Sequence, residues 1–266
     1  MKEKKDIRSL SIEELTSFFK SNNMPSYRAN QVYNWLWKKS CLSFDEMTNI
    51  SLELRNLLKS KFVINHIKID KLQKSKDGTI KNAISLYDNL LVESVLIPTK
   101  SRTTACISSQ VGCSLDCEFC ATSKMDRIRN LNPDEIYDQA VTINSQSIKY
   151  HDRPISNIVF MGMGEPLLNY KNVIKGIDKI TSKEGLGMSP KRITVSTSGI
   201  SKLIIKMADD NVKFNLAISL HSAIEKTRNK IMPFSKKFPL ENLLEAVKYW
   251  YLKTNKIVTY EYIVWE

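Results

Sequence analysis

The chain has 266 residues, a formal net charge of +12 and a pI near 9.4. That length buries one large core plus a small accessory domain, and the surplus of Lys and Arg favours polyanionic partners. No apolar run approaches the ~18 residues of a membrane span, and the opening M-K-E-K-K-D lacks the apolar stretch of a signal peptide, so no membrane partner is expected.

An apolar fraction of 42% is ordinary for a globular protein. The expectation is a monomer in the reducing cytoplasm, where cysteines persist as thiols. The charge alone is also compatible with a Lys-rich chain whose faces are merely solvated.

Residues 1–65 read as an all-helical domain. Ser11-Ile12-Glu13-Glu14 is a capping box, and Leu15, Phe18 and Phe19 give an apolar stripe behind it. Tyr27–Lys39 and Ser43–Phe62 read as two more helices, with Lys20, Arg28, Lys38, Lys39, Arg55, Lys59 and Lys61 between the apolar positions. Residues 66–100 change period. Thr79–Leu86 and Leu90–Ile97 alternate as strands, with turn signals at Asp77-Gly78 and Asp88-Asn89, which predicts a β-hairpin linking two domains.

From residue 101 the pattern is a strand–helix alternation, the signature of parallel βαβ units and an α/β fold. Strands are predicted over Thr104–Ser108, Asn157–Met161, Arg192–Thr197, Phe214–Leu220 and Ile257–Trp265. Helices are predicted after Asn132-Pro133-Asp134-Glu135, after Asn169 as a cap, and over Ile200–Asp209 and Leu240–Leu252. Polar candidates cluster at the C-terminal ends of these strands, where parallel sheets and barrels bind ligands.

The chemistry concentrates in Ser109–Cys120, S-Q-V-G-C-S-L-D-C-E-F-C. Cys113, Cys117 and Cys120 are spaced C-x3-C-x2-C. Three thiols in one short polar loop are ligands for a soft metal centre rather than core residues. An iron–sulfur cluster held by three Cys fits this spacing. Zinc would need a fourth ligand, for which Cys106 is the candidate, giving a zinc-binding RNA-binding protein. A purely structural loop is the third reading. One strand later, Gly162-Met163-Gly164-Glu165-Pro166 combines glycines that admit close backbone approach with a carboxylate able to accept from an ammonium group. On residue type alone, Ser196 and His221 read as strand-end capping or core groups, Glu93 as an exposed strand carboxylate, and Cys106 as a buried strand thiol.

The cysteine spacing at the end of the first parallel strand resembles the radical S-adenosylmethionine (SAM) superfamily. The longer run C-I-S-S-Q-V-G-C-S-L-D-C-E-F-C-A-T, followed by R-N-L-N-P-D-E-I-Y-D-Q, resembles the RlmN/Cfr type of ribosomal RNA adenine methyltransferase. The resemblance runs from Tyr27 to the end of the chain, and Y-R-A-N-Q-V-Y-N-W is similar to the family's N-terminal RNA-binding domain. It implies a partial (βα)6 barrel with its last strand missing here, an N-terminal helical accessory domain and a linking hairpin.

The resemblance also implies a 4Fe-4S cluster on Cys113, Cys117 and Cys120, whose open iron chelates SAM. Gly164, Glu165, Ser196, Ser219, Leu220 and His221 then match the SAM contacts, Glu93 the general base, and Cys106 the resolving thiol. Reductive cleavage of SAM yields a 5′-deoxyadenosyl radical. In the family that radical activates a methyl group carried by a C-terminal cysteine, which adds to carbon 2 of an adenine. Ordinary SAM alkylation needs a nucleophile, and this ring carbon is not one. A disulfide with Cys106 then releases the product. The implied substrates are 23S rRNA and transfer RNA, and the implied reductant is a flavodoxin-type donor.

The family continues beyond the pattern present here, with an Asn-bearing SAM loop, a sixth strand and the methyl-carrying Cys. The expectation is a truncated member that ligates a cluster and binds SAM weakly without completing methyl transfer by the family route. A radical SAM enzyme that does not methylate is the nearest rival reading.

Overall fold

The structure, a computed structural model, describes residues 4–264. Residues 1–3 of the opening M-K-E-K-K-D and Trp265, the end of the fifth expected strand, lie outside the described residues, as does Glu266.

The N-terminal part contains α1 (Ile12–Ser21), α2 (Tyr27–Trp37) and α3 (Leu52–Lys61). The Ser11 box forms as expected: Glu14 N–H donates to Ser11 Oγ at 3.1 Å and Ser11 N–H to Glu14 Oε2 at 2.7 Å. Two expectations change. The third helix does not begin near Ser43. A 3₁₀ turn at Phe44–Glu46 precedes it, and Ser51 starts α3 by accepting from Leu54 N–H. The region is also not all helix. A short strand β1 (Lys5–Asp6) pairs in parallel with β2 (Phe62–Val63), tying the start of the module to its end.

The remaining strands build one eight-stranded sheet. In chain order they are β3 (Lys68–Lys74), β4 (Ile80–Ser85), β5 (Leu91–Pro98), β6 (Thr103–Cys106), then β9 (Asn157–Phe160), β10 (Ile193–Thr197), β11 (Asn215–Ser219) and β12 (Val258–Glu261). Between β6 and β9, the two-residue strands β7 (Gln110–Val111) and β8 (Arg129–Asn130) pair with each other. The sheet order is β12-β11-β10-β9-β6-β5-β4-β3. Strands β6, β9, β10, β11 and β12 are mutually parallel, and β3, β4 and β5 continue the sheet as an antiparallel meander. The expected hairpin is thus part of a three-stranded extension of the main sheet. Its first strand carries no burial pattern, because every residue of β3 is exposed.

The outer helices are α4 (Pro133–His151), α5 (Tyr170–Thr181), α6 (Ser201–Asp209), α7 (Glu225–Ile231) and α8 (Leu240–Thr254). Pro133 at the first turn and Asn132 N–H donating to Glu135 Oε2 at 2.8 Å open α4 as its sequence implies. Asn169 does not cap α5. Its amide donates instead to the carbonyls of Ser109 and Leu131, 2.8 Å each, and so ties the cysteine loop to the end of β9.

Side chains alternate across a strand. Ile158, Phe160, Ile193, Val195, Leu216 and Ile218 point to one face and are buried in the main core. Directly paired residues share a face, so the register Val95–Cys106, Cys106–Val159, Val159–Thr194, Thr194–Asn215 and Ser219–Glu261 places Glu93, Cys106, Ser196, Ser219 and Glu261 together on the other face.

The N-terminal module docks on α4 and α5. Arg8, 8% exposed, donates to Asp138 at 2.7 Å and Asp134 at 3.2 Å and lies 3.7 Å from Asp6. Tyr137 O–H donates to the Trp37 carbonyl at 2.5 Å, and Lys179 bonds the Tyr33 hydroxyl with its ammonium also over the Trp37 ring. Burial pushes the Asp138 carboxyl up to about 7, opposed mainly by the Arg8 charge. Removing Arg8 leaves carboxylates buried without their cation, so Arg8→Ala is expected to cost about 3–5 kcal/mol in urea unfolding at pH 7. A loss below about 1 kcal/mol would show that the cluster does not hold the module in place.

Candidate active site

The loop between β6 and α4 carries the three cysteines. The β7–β8 pair closes it at its base, with Gln110 opposite Asn130 and Val111 opposite Arg129. Gly112 begins the turn at φ +73°, and a Cβ there would lie 1.9 Å from the Asp126 carbonyl oxygen, so no other residue fits. Ser123 Oγ donates to the carbonyls of Cys117 (2.6 Å) and Cys120 (2.7 Å), which fixes the C-x2-C turn. Glu118 N–H donates to the Ile231 carbonyl at 2.9 Å, anchoring the loop on the end of α7. Cys113, Leu115, Cys117, Ile231 and Met232 form a small apolar cluster of their own, with Phe119 packed against it.

Cys113, Cys117 and Cys120 line one cavity of about 240 Å³ at the C-terminal mouth of the parallel strands, facing Gly164, Glu165, Ser196, Ser219, His221 and Glu261. Burial pushes the Cys117 thiol up to about 12, reinforced by the charges of Cys113, Cys120 and Glu165. Ionised thiolates here repel one another, and a polycationic iron centre removes that repulsion while requiring all three to lose their protons. Three soft donors around one cavity therefore fit a cluster. Among the described residues no three His, Cys, Asp or Glu side chains are arranged to hold a single metal ion. Cys106 lies on β6 outside the cavity lining, so a four-thiol zinc knot gains no support.

The G-M-G-E-P turn follows β9. Gly164 has φ +90°, and a Cβ would meet the Gln110 side chain at 2.4 Å. Its freedom is thus used against Gln110 of the cysteine loop as well as toward the cavity. Gln110 Oε1 accepts from Glu165 N–H at 2.9 Å. The Glu165 carboxylate is 3% exposed and accepts from Leu167 N–H (3.0 Å) and Ser198 N–H (2.8 Å). Burial raises its pKa, and these bonds oppose the rise.

At the ends of β10 and β11, Ser196 and Ser219 hydroxyls donate to Glu261, at 3.1 and 2.9 Å. Leu220 and His221 N–H both donate to the Glu261 carbonyl at 3.1 Å. His221 has φ +55°, and its ring lies edge-on to Phe119 with centroids 4.5 Å apart. Burial lowers its pKa, so the imidazole is neutral at pH 7. Leu220 does not line the cavity, and its carbonyl accepts from Arg228 Nε at 3.2 Å.

Glu93 and Cys106 sit on the cavity side of the sheet but outside the cavity lining. Glu93 is exposed and ion-paired with Lys81 at 2.6 Å. Its N–H meets the Met163 sulfur at 3.3 Å, and its carbonyl accepts from Ser108 Oγ at 2.5 Å, which fixes it against the G-M-G turn. Burial pushes the Cys106 thiol up to about 11. All five cysteines are free thiols, and Cys41 is buried in the N-terminal module.

Sequence reasoning passed over Glu261 and Arg228. Glu261 ends a strand, as every other candidate does, which was the available signal. Arg228, wholly buried, donates Nη2 to the Ser198 carbonyl at 2.5 Å and binds the ends of β10 and β11 from behind. In E-K-T-R-N-K nothing separates it from its exposed neighbours. Gly112→Ala is expected to abolish iron loading, read as iron content and visible absorbance, while far-ultraviolet circular dichroism stays that of the wild type. Unchanged iron content would show that the loop does not need the left-handed turn.

Residues 5–64 match the family described as the ribosomal RNA large subunit methyltransferase N-terminal domain, and residues 107–264 match the radical SAM superfamily. The "Probable dual-specificity RNA methyltransferase RlmN" of Flavobacterium johnsoniae is 65% identical over 264 residues, 99% of this chain and 76% of the relative. The "Dual-specificity RNA methyltransferase RlmN" of Syntrophus aciditrophicus is 44% identical over 97% of this chain and 74% of the relative. A crystal structure of a radical SAM methyltransferase from Sphaerobacter thermophilus superposes with a TM-score of 0.90 at 32% identity, over 98% of this chain and 76% of that one. With both halves matched and the cysteine loop, turn and strand ends meeting at one cavity, the chain belongs to the RlmN family of radical SAM RNA methyltransferases.

Proposed function

We propose that this chain acts in methylating carbon 2 of an adenine in 23S rRNA and in transfer RNA. One observation carries the reading. Three loop thiols, the G-M-G-E-P turn and the polar ends of β10, β11 and β12 open on one cavity, and Glu93 and Cys106 share its side of the sheet. The dual specificity in the relatives' names and the N-terminal match support RNA as substrate. Residues 1–65 are then the RNA-binding module, 66–100 the link and 101–266 the catalytic core. A flavodoxin-type protein as reductant, a monomeric state and a cytoplasmic location complete the proposal.

Cys113, Cys117 and Cys120 would hold a 4Fe-4S cluster, which with SAM supplies a reductively generated carbon radical. The protein's part is positioning and proton control. Glu165 and the strand ends orient SAM by its polar groups. Glu93 accepts the ring proton, and its exposed ion pair with Lys81 is worth only about 0–1 kcal/mol, so incoming RNA displaces Lys81 at little cost. Cys106 is kept protonated at neutral pH by its burial, which preserves the thiol until its turn as the resolving group.

The test uses anaerobically reconstituted protein with SAM, a chemical reductant and a 23S rRNA fragment, reading 5′-deoxyadenosine and 2-methyladenine by mass spectrometry. Wild type is expected to form both. Cys117→Ala is expected to lose both, with the brown cluster absorbance. Glu93→Gln is expected to keep cluster and SAM cleavage while 2-methyladenine falls about 100-fold or more. SAM cleavage by the wild type without any 2-methyladenine would leave a radical SAM protein that does not methylate. A colourless, zinc-loaded protein would overturn the cluster itself.

A further inference from the structure

Ser196, Ser219 and Glu261 form a patch of unusual hydrogen-bond character. They end three neighbouring strands, β10, β11 and β12, and line the same cavity. Ser219 and Glu261 are register partners, with side chains on one face. Each serine hydroxyl has one proton. Ser196 donates to Glu261 Oε1 and Ser219 to Oε2, so both protons point at the carboxylate. The cavity side of the three groups then presents lone pairs. No Lys or Arg among the described residues pairs with Glu261. A ligand group meeting this wall must donate hydrogen bonds.

Two kinds of donor fit: an ammonium group or a pair of hydroxyls. The cavity holds a second carboxylate, Glu165, whose charge acts on Cys113 and Cys117. The charge of Glu261 acts instead on Cys106 and His221. The two acids thus mark different ends of the site. The cysteine end belongs to Glu165, leaving the outer strand ends for the other part of the ligand. A carboxylate accepting from adjacent hydroxyls is the recurrent protein solution for a ribose diol.

We infer that Glu261, held by Ser196 and Ser219, is the acceptor for the vicinal ribose hydroxyls of the nucleoside bound in this cavity. The two serines are positioning residues. This rests on the proposal that the cavity takes SAM. The wall excludes nucleosides that cannot donate from this position.

The experiment measures anaerobic equilibrium dialysis of SAM, 2′-deoxy-SAM and 3′-deoxy-SAM against reconstituted wild type, Glu261→Ala and Glu261→Gln, with iron content determined for each. Wild type is expected to bind the deoxy analogues about tenfold or more weakly than SAM, as for loss of a hydrogen bond to a charged group. In Glu261→Ala the three ligands are expected to bind with one shared, weakened affinity. Glu261→Gln is expected to discriminate less than wild type at unchanged iron content. The inference is overturned if Glu261→Ala binds SAM as wild type does, or if it still rejects the deoxy analogues. It is equally overturned if wild type binds all three alike, a result that needs no variant to fold. Failure of wild type to bind SAM at all would defeat the parent proposal instead.

Discussion

A carboxylate buried at the mouth of a parallel sheet must have its lone pairs answered, and Glu165 is answered by the chain itself. Leu167 N–H and Ser198 N–H donate to its two oxygens, and its own N–H donates to Gln110. Gln110 belongs to the cysteine loop after β6, Glu165 to the turn after β9, and Ser198 to the turn after β10. One buried acid therefore fixes three strand ends against one another. Losing any partner leaves a charge in a low-dielectric site, a cost of several kcal/mol. The cavity shape follows from that constraint.

Arg228 does the same from behind with opposite sign. It binds the carbonyls after β10 and β11, the strands whose serines hold Glu261. Its charge also reaches Cys117, where it counters the repulsion among the thiols. A buried cation beneath three closely placed thiols and two carboxylates keeps the local charge from running wholly negative before a cluster is assembled. Polar satisfaction and cluster chemistry are served by the same side chain.

How much of the fold and the site was legible follows from what each residue signals locally. The cysteine loop was fully legible, because C-x3-C-x2-C in a short polar loop suits a soft metal centre far better than a core. The parallel strands were legible because their apolar faces are buried by helices and so read as continuous apolar segments. Strand β3 was not, since a strand exposed throughout carries no alternation. The short parallel pair of Lys5–Asp6 with Phe62–Val63 is a long-range contact that no local window contains. Asn169 read as a helix cap because Asn before a helix usually is one, yet its amide serves two carbonyls of the neighbouring loop. Glu261 and Arg228 were missed because their meaning comes from the elements across from them, Ser196 and Ser219 in one case and the strand-end carbonyls in the other.

The docking of the N-terminal module gives this arrangement its reach. Arg8 grips Asp134 and Asp138 in the first turns of α4, the helix that begins directly after the cysteine loop closes at β8. Arg129 of β8 in turn pairs with Glu135 of α4, through two contacts of 2.8 Å, and with Asp88 at 2.6 Å, in the turn between β4 and β5. A continuous set of charged contacts therefore runs from the N-terminal module through the start of α4 to the base of the cysteine loop and on to the meander that carries Glu93. A polyanion held by the module's lysines and arginines is presented to the cavity through these fixed contacts rather than through a free linker. The orientation of a bound RNA base relative to Glu93 is then set by the fold, which is the requirement for taking a proton from one chosen ring carbon.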